Sequence, residues 1–247
     1  RLLERSFSRQ GINVHTGSRV TNVTVSEDGV KLELNDNGEN TILETDRVLV
    51  AAGVLPNTEE LGLDSFGVTL NRGFIEVDGS MATNVAGLYA IGDVTGIMLL
   101  AHVASAQGVL AVERIAGMDV PELNYAVMPR ATYCHPQVTS YGITEKQAME
   151  LGRGIKVGKF PFAASGKALA IAEDEGLTKI IVDEESGEIL GAHLIGAEVT
   201  EMLGELSLAQ SMEITSWEIG QLVHSHPTLS ETLKEAALAV DGQAIHI

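Results

Sequence analysis

The chain has 247 residues, 45% of them hydrophobic and only 4% aromatic, enough for one large core or two smaller ones built on Val, Ile, Leu and Ala. A formal net charge of -18 argues against a nucleic-acid partner, because that affinity comes mainly from basic side chains displacing counterions. Cys134 is the only cysteine, which excludes a disulfide-stapled scaffold and fits a reducing, cytoplasmic setting.

Residues 1–9 read as the end of a helix capped at Gly11, so the chain is expected to be a piece of something longer. Position 1 is Arg, and no basic-then-apolar signal segment follows it. No apolar stretch is long enough to cross a bilayer, because His102 and Gln107 break the best candidate. Residues 19–25 alternate valine with polar side chains, which predicts a half-buried strand. Asp28-Gly29 signals a tight hairpin turn before a second alternating strand over 30–34, and residues 35–38 form a second turn. Val48-Leu49-Val50-Ala51-Ala52 is a continuous apolar run ending at Gly53, as expected of a buried strand. Pro56 and Asn57 mark a first domain boundary.

Over residues 58–126, Leu88-Tyr89-Ala90-Ile91 predicts a short buried strand stopped by Gly92-Asp93. Residues 99–116 suit a helix with a broad apolar face, closed by Gly117, and Pro121 sits at a second boundary. From Val127 onward, strands and helices mix. Thr144 and Gln147 have capping-box spacing. Residues 179–183 and 189–195 flank an acidic turn and predict a hairpin. Residues 198–213 predict a helix, a shorter one follows near Trp217, and a last one begins at Thr228. The acidic residues 173–175 read as a solvated face, and Cys134 as a small buried residue.

His226 lies in His224-Ser225-His226-Pro227-Thr228-Leu229-Ser230-Glu231. Imidazole titrates nearest neutrality, so it suits proton transfer. A helix N-terminus after it disfavours imidazolium; a carboxylate on the other ring nitrogen counteracts that and fixes the tautomer. Glu231, one turn into the helix, could reach back to do this. The same spacing matches a capping box in which Glu231 merely bonds a backbone amide, and its two oxygens allow both roles at once.

That string resembles the terminal signature of the dihydrolipoamide dehydrogenases, in the pyridine-nucleotide disulfide oxidoreductase family. The segments 53–57, Leu88–Asp93 with Leu99-Leu100-Ala101-His102, Cys134-His135-Pro136, and Lys159-Phe160-Pro161-Phe162-Ala163 resemble the same family, in order along essentially the whole chain. The resemblance implies an α/β fold with an α+β interface domain. Residues 1–57 would be the tail of an NAD-binding domain, 58–126 the second portion of an FAD-binding domain, and 127–247 an antiparallel-sheet-plus-helices dimerisation domain. It implies FAD bound through Asp93 and the amides of Leu99, Leu100, Ala101 and His102, and NAD lined by Gly53 and Val20; for Val20 the core-strand reading is equally open. His226 would deprotonate a thiol of dihydrolipoamide, carried on a lipoyl domain of a 2-oxo-acid dehydrogenase or glycine-cleavage complex, and Glu231 would orient it. The base would be lent across a homodimer, with a cis His226-Pro227 peptide as an aiming device.

The departures are specific. No pair of cysteines separated by four residues is present, both Gly-rich dinucleotide fingerprints are missing, and Gly152-Arg153-Gly154 is not one of them. Val54 stands where the family often has Arg, and Gln137, expected at the surface, where it usually has Glu. The chain alone is therefore expected to have little redox activity. The competing readings are a glutathione or mercuric disulfide reductase, and a non-enzymatic dimerisation or assembly module.

Overall fold

The computed structural model describes residues 1–36 and 38–247, so Asn37, within the turn expected over 35–38, lies outside the described residues. After α1 (Leu2–Arg9), strands β1 (Ser18–Ser26), β2 (Gly29–Asp36) and β3 (Glu39–Thr45) form a three-stranded antiparallel sheet in chain order. The Asp28-Gly29 turn joins β1 and β2 as the sequence predicts, with Val25 opposite Val30. Burial departs from expectation, however. β1 is exposed along nearly its whole length, and only Leu32 and Leu34 of this sheet are buried.

The run 48–52 forms no strand. Leu49 is 91% exposed and Val50 81%. A buried strand needs neighbours on both faces and both edges, and among the described residues no strand pairs with this run. β4 (Leu70–Asn71) and β5 (Phe74–Ile75) make a minimal hairpin. Residues 88–91 are likewise not a named strand: a single bridge joins Ala82 to Tyr89. Backbone bonds from Thr83 N to Leu88 O (2.9 Å) and Ala90 N to Met81 O (3.1 Å) close that hairpin so tightly that no longer ladder forms. Ala90 is nonetheless buried, against Val68 and Ile75. Helix α2 (Ala101–Ile115) starts two residues later than Leu99, with Leu100 as its extended N-cap.

The main core lies beyond Val127. Strands β6 (Arg130–Thr132), β7 (Gln137–Gly142), β8 (Ile155–Pro161), β9 (Leu177–Asp183) and β10 (Ile189–Gly196) make a five-stranded antiparallel sheet in the order β6-β7-β10-β9-β8. The expected hairpin is β9–β10. Helices α3 (Glu145–Glu150) and α4 (Gly166–Ala170) fall between the strands; α5 (Val199–Ser211), α6 (Ser216–Gln221) and α7 (Glu231–Ala239) follow them. Thr144 and Gln147 close the predicted capping box on α3, and Thr215 with Glu218 close another on α6.

Tyr141, Phe160, Ile180, Val182 and Leu194 on the sheet pack with Leu203 and Leu206 of α5 and Leu233 and Ala236 of α7. Each fully buried apolar side chain of this size contributes about 1.5–3 kcal/mol. At Gly158 a Cβ would lie 1.9 Å from the Ala236 carbonyl oxygen, so glycine lets α7 lie directly on β8. That contact sets the position of the start of α7, where the candidate site lies.

Three expectations about single residues and clusters change. Gln137 is not a plain surface residue: its Oε1 accepts from the Thr200 hydroxyl (2.8 Å) and amide (3.3 Å), capping α5 from a neighbouring strand. Cys134 is only partly buried, its thiol bonded to the Pro136 carbonyl at 3.1 Å. The acidic cluster is engaged rather than merely solvated, with Glu175 on Arg9 at 2.5 Å and Glu173 3.7 Å from His135.

Candidate functional site

The last two helices are joined by residues 222–230, and the sequence of this loop dictates its shape through local hydrogen bonds. The Thr228 hydroxyl donates to the Ser225 carbonyl at 2.8 Å, and the Thr232 hydroxyl to that of Leu229 at 2.7 Å. Leu229 is buried and ties the loop to the core. The His226-Pro227 peptide is cis, as is His135-Pro136. The helix begins at Glu231 rather than at Thr228, and its N-cap Ser230 makes no side-chain cap bond.

Glu231 takes both roles open to it. Its Oε1 lies 2.9 Å from His226 Nδ1, and its Oε2 accepts the Thr228 amide at 2.8 Å. The Thr228 hydroxyl faces Ser225 instead of the helix, so only the carboxylate half of a capping box forms. Burial acts to raise the Glu231 carboxyl, but the Thr228 amide, the His226 hydrogen bond and the nearby imidazole charges outweigh it, and the net direction is down. The carboxylate form therefore prevails at neutral pH. An ionised carboxylate only accepts, so in the neutral form of the ring it is Nδ1 that carries the proton and Nε2 that holds the lone pair. The His226 side chain is 76% exposed, and Nε2 makes no hydrogen bond among the described residues. The arrangement is that of a base with one edge fixed and the other presented outward.

Behind the pair lies a cavity of about 50 Å³ bordered by Phe160, Ser165, Thr232, Glu235 and His246. That is room for a water or two, far below the ~300 Å³ of a small-molecule pocket. This chain presents His226 without enclosing a substrate.

The other expected residues lie elsewhere, and none of them borders the His226 cavity. Asp93 is exposed in a short 3-10 turn (Gly92–Thr95), where the Gly92 amide is tied to the buried Gln107 Oε1 at 2.7 Å. Gln107 lies on α2, so this bond fixes the aspartate turn against the helix whose start carries the remaining candidates. Leu99, Ala101 and His102 are exposed, Leu100 half-buried. The first amides of α2 have no intrahelical acceptor. The His102 ring is turned to the Pro129 carbonyl at 2.9 Å, away from those amides' task. The Leu100 amide is already taken by the Met98 carbonyl at 2.7 Å. The exposed Asp93 carboxylate and the amides of Leu99, Ala101 and His102 are the groups that fit a flavin, whose hydroxyls donate and whose pyrimidine edge gains negative charge on reduction. Gly53 sits in irregular chain at φ 117° with open space where a Cβ would be. Val20 is half-exposed on β1 beside a bulge, so it is not a core residue.

Two further pairs escape sequence reasoning. The buried Glu235 holds His246 Nδ1 at 2.8 Å, and Glu205 of α5 holds His224 Nε2 at 2.9 Å. The only local signal for the first is that Glu235 stands one helical turn after Glu231. Among the described residues no group of three or more His, Cys, Asp or Glu could hold a metal ion, and no helix is long and apolar enough to cross a membrane.

The chain matches the pattern of the pyridine nucleotide-disulphide oxidoreductases over residues 1–108, and the dimerisation-domain pattern of that family over residues 128–237. It is 47% identical over 252 residues to the dihydrolipoyl dehydrogenase of Corynebacterium glutamicum, covering 100% of this chain and 54% of that protein. It is 48% identical over 236 residues to the enzyme of the same name from Chlorobaculum tepidum, covering 95% and 50%. Its structure is similar to LpdA from Mycobacterium tuberculosis, with a TM-score of 0.87 and 27% identity over 96% of this chain and 51% of that one. The chain spans about half the length of the curated relatives it matches.

Proposed function

Because the chain belongs to the pyridine nucleotide-disulphide oxidoreductase family, we propose that it supplies the base and the dimer contacts of an enzyme that oxidises dihydrolipoamide with NAD. The observation that carries this reading is the 2.9 Å contact between His226 Nδ1 and Glu231, with Nε2 directed outward. Nε2 takes the proton of a dihydrolipoamide thiol, and the thiolate so formed is the nucleophile in disulfide exchange. Glu231 keeps the ring in the accepting tautomer and balances the imidazolium once it forms. The disulfide that receives this thiolate is not in this chain, whose one cysteine is Cys134. FAD and NAD supply the redox chemistry when bound.

On this reading Asp93 accepts from a ribityl hydroxyl, and the amides of Leu99, Ala101 and His102 face the flavin pyrimidine; that of Leu100 must first leave the Met98 carbonyl to join them. Gly53 and Val20 line the NAD site. Residues 1–57 end the NAD domain, 58–126 continue the FAD domain and 127–247 dimerise. The dimerisation-domain match over 128–237 supports a homodimer. A base presented at the surface, with no flavin candidate beside its cavity, supports one subunit lending it to the other. The reading further takes the protein to be cytoplasmic and its substrate to arrive on a lipoyl domain.

The test uses the enzyme that contains this sequence. His226→Gln should lower kcat for NAD-linked dihydrolipoamide oxidation by about 10²–10⁴-fold, the usual worth of a positioned base, while the flavin spectrum stays unchanged. Turnover within twofold of the parent would remove His226 from the mechanism.

A further inference from the structure

Helix α7 carries two carboxylates one turn apart, Glu231 and Glu235, and each holds an imidazole by its Nδ1: His226 at 2.9 Å and His246 at 2.8 Å. Like charges four residues apart on a helix repel, and a buried carboxylate must be fully partnered to persist. Glu235 meets that demand with three donors. Its side chain is only 5% exposed; Oε1 takes the His246 ring, and Oε2 takes the amides of Ile245 (2.8 Å) and His246 (3.3 Å). Burial acts to raise Glu235, yet these donors outweigh it and keep it ionised. Residues 245 and 246 are thereby clamped across α7, and all four members of the two pairs line the same small cavity.

We propose that Glu235 and His246 are positioning residues for the His226–Glu231 pair: clamped by Glu235, His246 forms a wall of their cavity and holds Glu231 in the orientation that keeps the proton on His226 Nδ1. The wall matters because Glu231 is aimed from the first residue of α7, where no earlier helical turn restrains it. His246 also lies close enough for its charge to favour the Glu231 carboxylate. The catalytic consequence rests on the reading of His226 as the base; the coupling itself does not, and the experiment measures the coupling.

The measurement is ring ¹⁵N NMR of the histidine-labelled enzyme that contains this sequence at about pH 9, well above the ordinary histidine titration, where the shifts report which nitrogen carries the proton. His226 in the parent should show the Nδ1–H form, and Glu231→Ala defines its complete loss. A glutamine at 235 has one acceptor oxygen for three donors and turns its own N–H groups on them. Glu235→Gln should therefore speed exchange of the Ile245 amide at least about tenfold. It should also move His226 at least about half of the way to the Glu231→Ala signature. His246→Ala keeps both backbone bonds to Glu235, so it carries the test if Glu235→Gln fails to fold. It should move His226 in the same direction by less. An unchanged His226 signature in His246→Ala, or in a folded Glu235→Gln with a freed Ile245 amide, reduces Glu235 to a tail anchor and overturns the proposal. Retained turnover in His226→Gln would sink the base assignment and leave this coupling as measured.

Discussion

The three-stranded sheet near the start of the chain and the five-stranded sheet beyond Val127 are both antiparallel, and both draw on the same β-branched residues, yet only one hides them. In β9 and β10 nearly every apolar position is buried, and Ile180, Val182, Ile189, Ala192 and Leu194 pack in one core with α5 and α7. In β1 every valine is exposed, and in β2 two leucines carry the burial. Alternation along a strand states which face could be covered; it does not state that a cover exists. The cover is a helix whose own apolar stripe answers the sheet, and such helices follow only the larger sheet closely in sequence. The candidate site residues follow the same division. Glu231 opens a helix packed on the larger sheet and His226 lies on the loop before it, whereas Gly53 and Val20 stand on exposed chain.

The sharpest way to break this contrast is to remove equal volume from each side. Leu233 on α7 is fully buried among the sheet side chains, and Leu233→Ala should cost about 2–5 kcal/mol in chemical denaturation. Leu49→Ala, at a residue 91% exposed, should fall within about 0.5 kcal/mol of the parent. Similar costs at the two sites would mean that the apolar run at 48–52 is packed in solution.

A smaller effect tests the contact that seats the candidate base. Gly158→Ala places a methyl against the Ala236 carbonyl, so α7 must shift outward from β8, at a cost of about 1–3 kcal/mol. The His226 ring resonances should move with it, because Glu231 travels with the helix. Stability lost with no change at His226 would show that the pair is set by its loop alone. Smaller again is Gln137→Ala, which uncaps α5 and should cost about 0.5–2 kcal/mol.

These sites also show what the sequence makes legible. The His226–Glu231 contact spans five residues and one helical turn, so spacing rules foresee it, as they foresee the capping box of Thr144 and Gln147 and the β9–β10 hairpin. Glu235 with His246 spans eleven residues across a helix end, and Gln137 with Thr200 spans sixty-three from a strand to a helix; no periodicity points from one to the other. The run at 48–52 misleads for the opposite reason. Its local pattern is that of a buried strand, but burial depends on neighbours that a local pattern does not contain. The predicted strand at 88–91 is half right on the same ground. Its burial follows from Ala90 being apolar, whereas its pairing is decided by the tightness of the 83–88 turn.

The smallest predicted effect separates the two sheets by their turns. Asp183 closes the β9–β10 hairpin: Oδ1 accepts the amides of Ser186 (3.0 Å) and Glu185 (3.1 Å), and Oδ2 accepts from Arg153 at 2.8 Å. The Ser186 amide first, and then Arg153, draw its carboxyl down to about 2 from 3.8. A carboxylate depressed by folding stabilises fully above its unfolded value, and that contribution is lost as pH falls through the folded one. Part of the acid destabilisation of this protein should therefore fall between pH 3.8 and about 2 and disappear in Asp183→Asn, whose urea midpoint should change less over that window. The turn between β1 and β2 is held differently, by the uncharged Ser26 hydroxyl bonded to the Gly29 carbonyl and the Asp28 amide. Ser26→Ala should change stability by less than about 0.5 kcal/mol and leave its dependence on acid untouched. If Asp183→Asn keeps the full acid response of the parent, the hairpin of the larger sheet is not held by its charge. The advantage of that sheet then lies wholly in the helices that cover it.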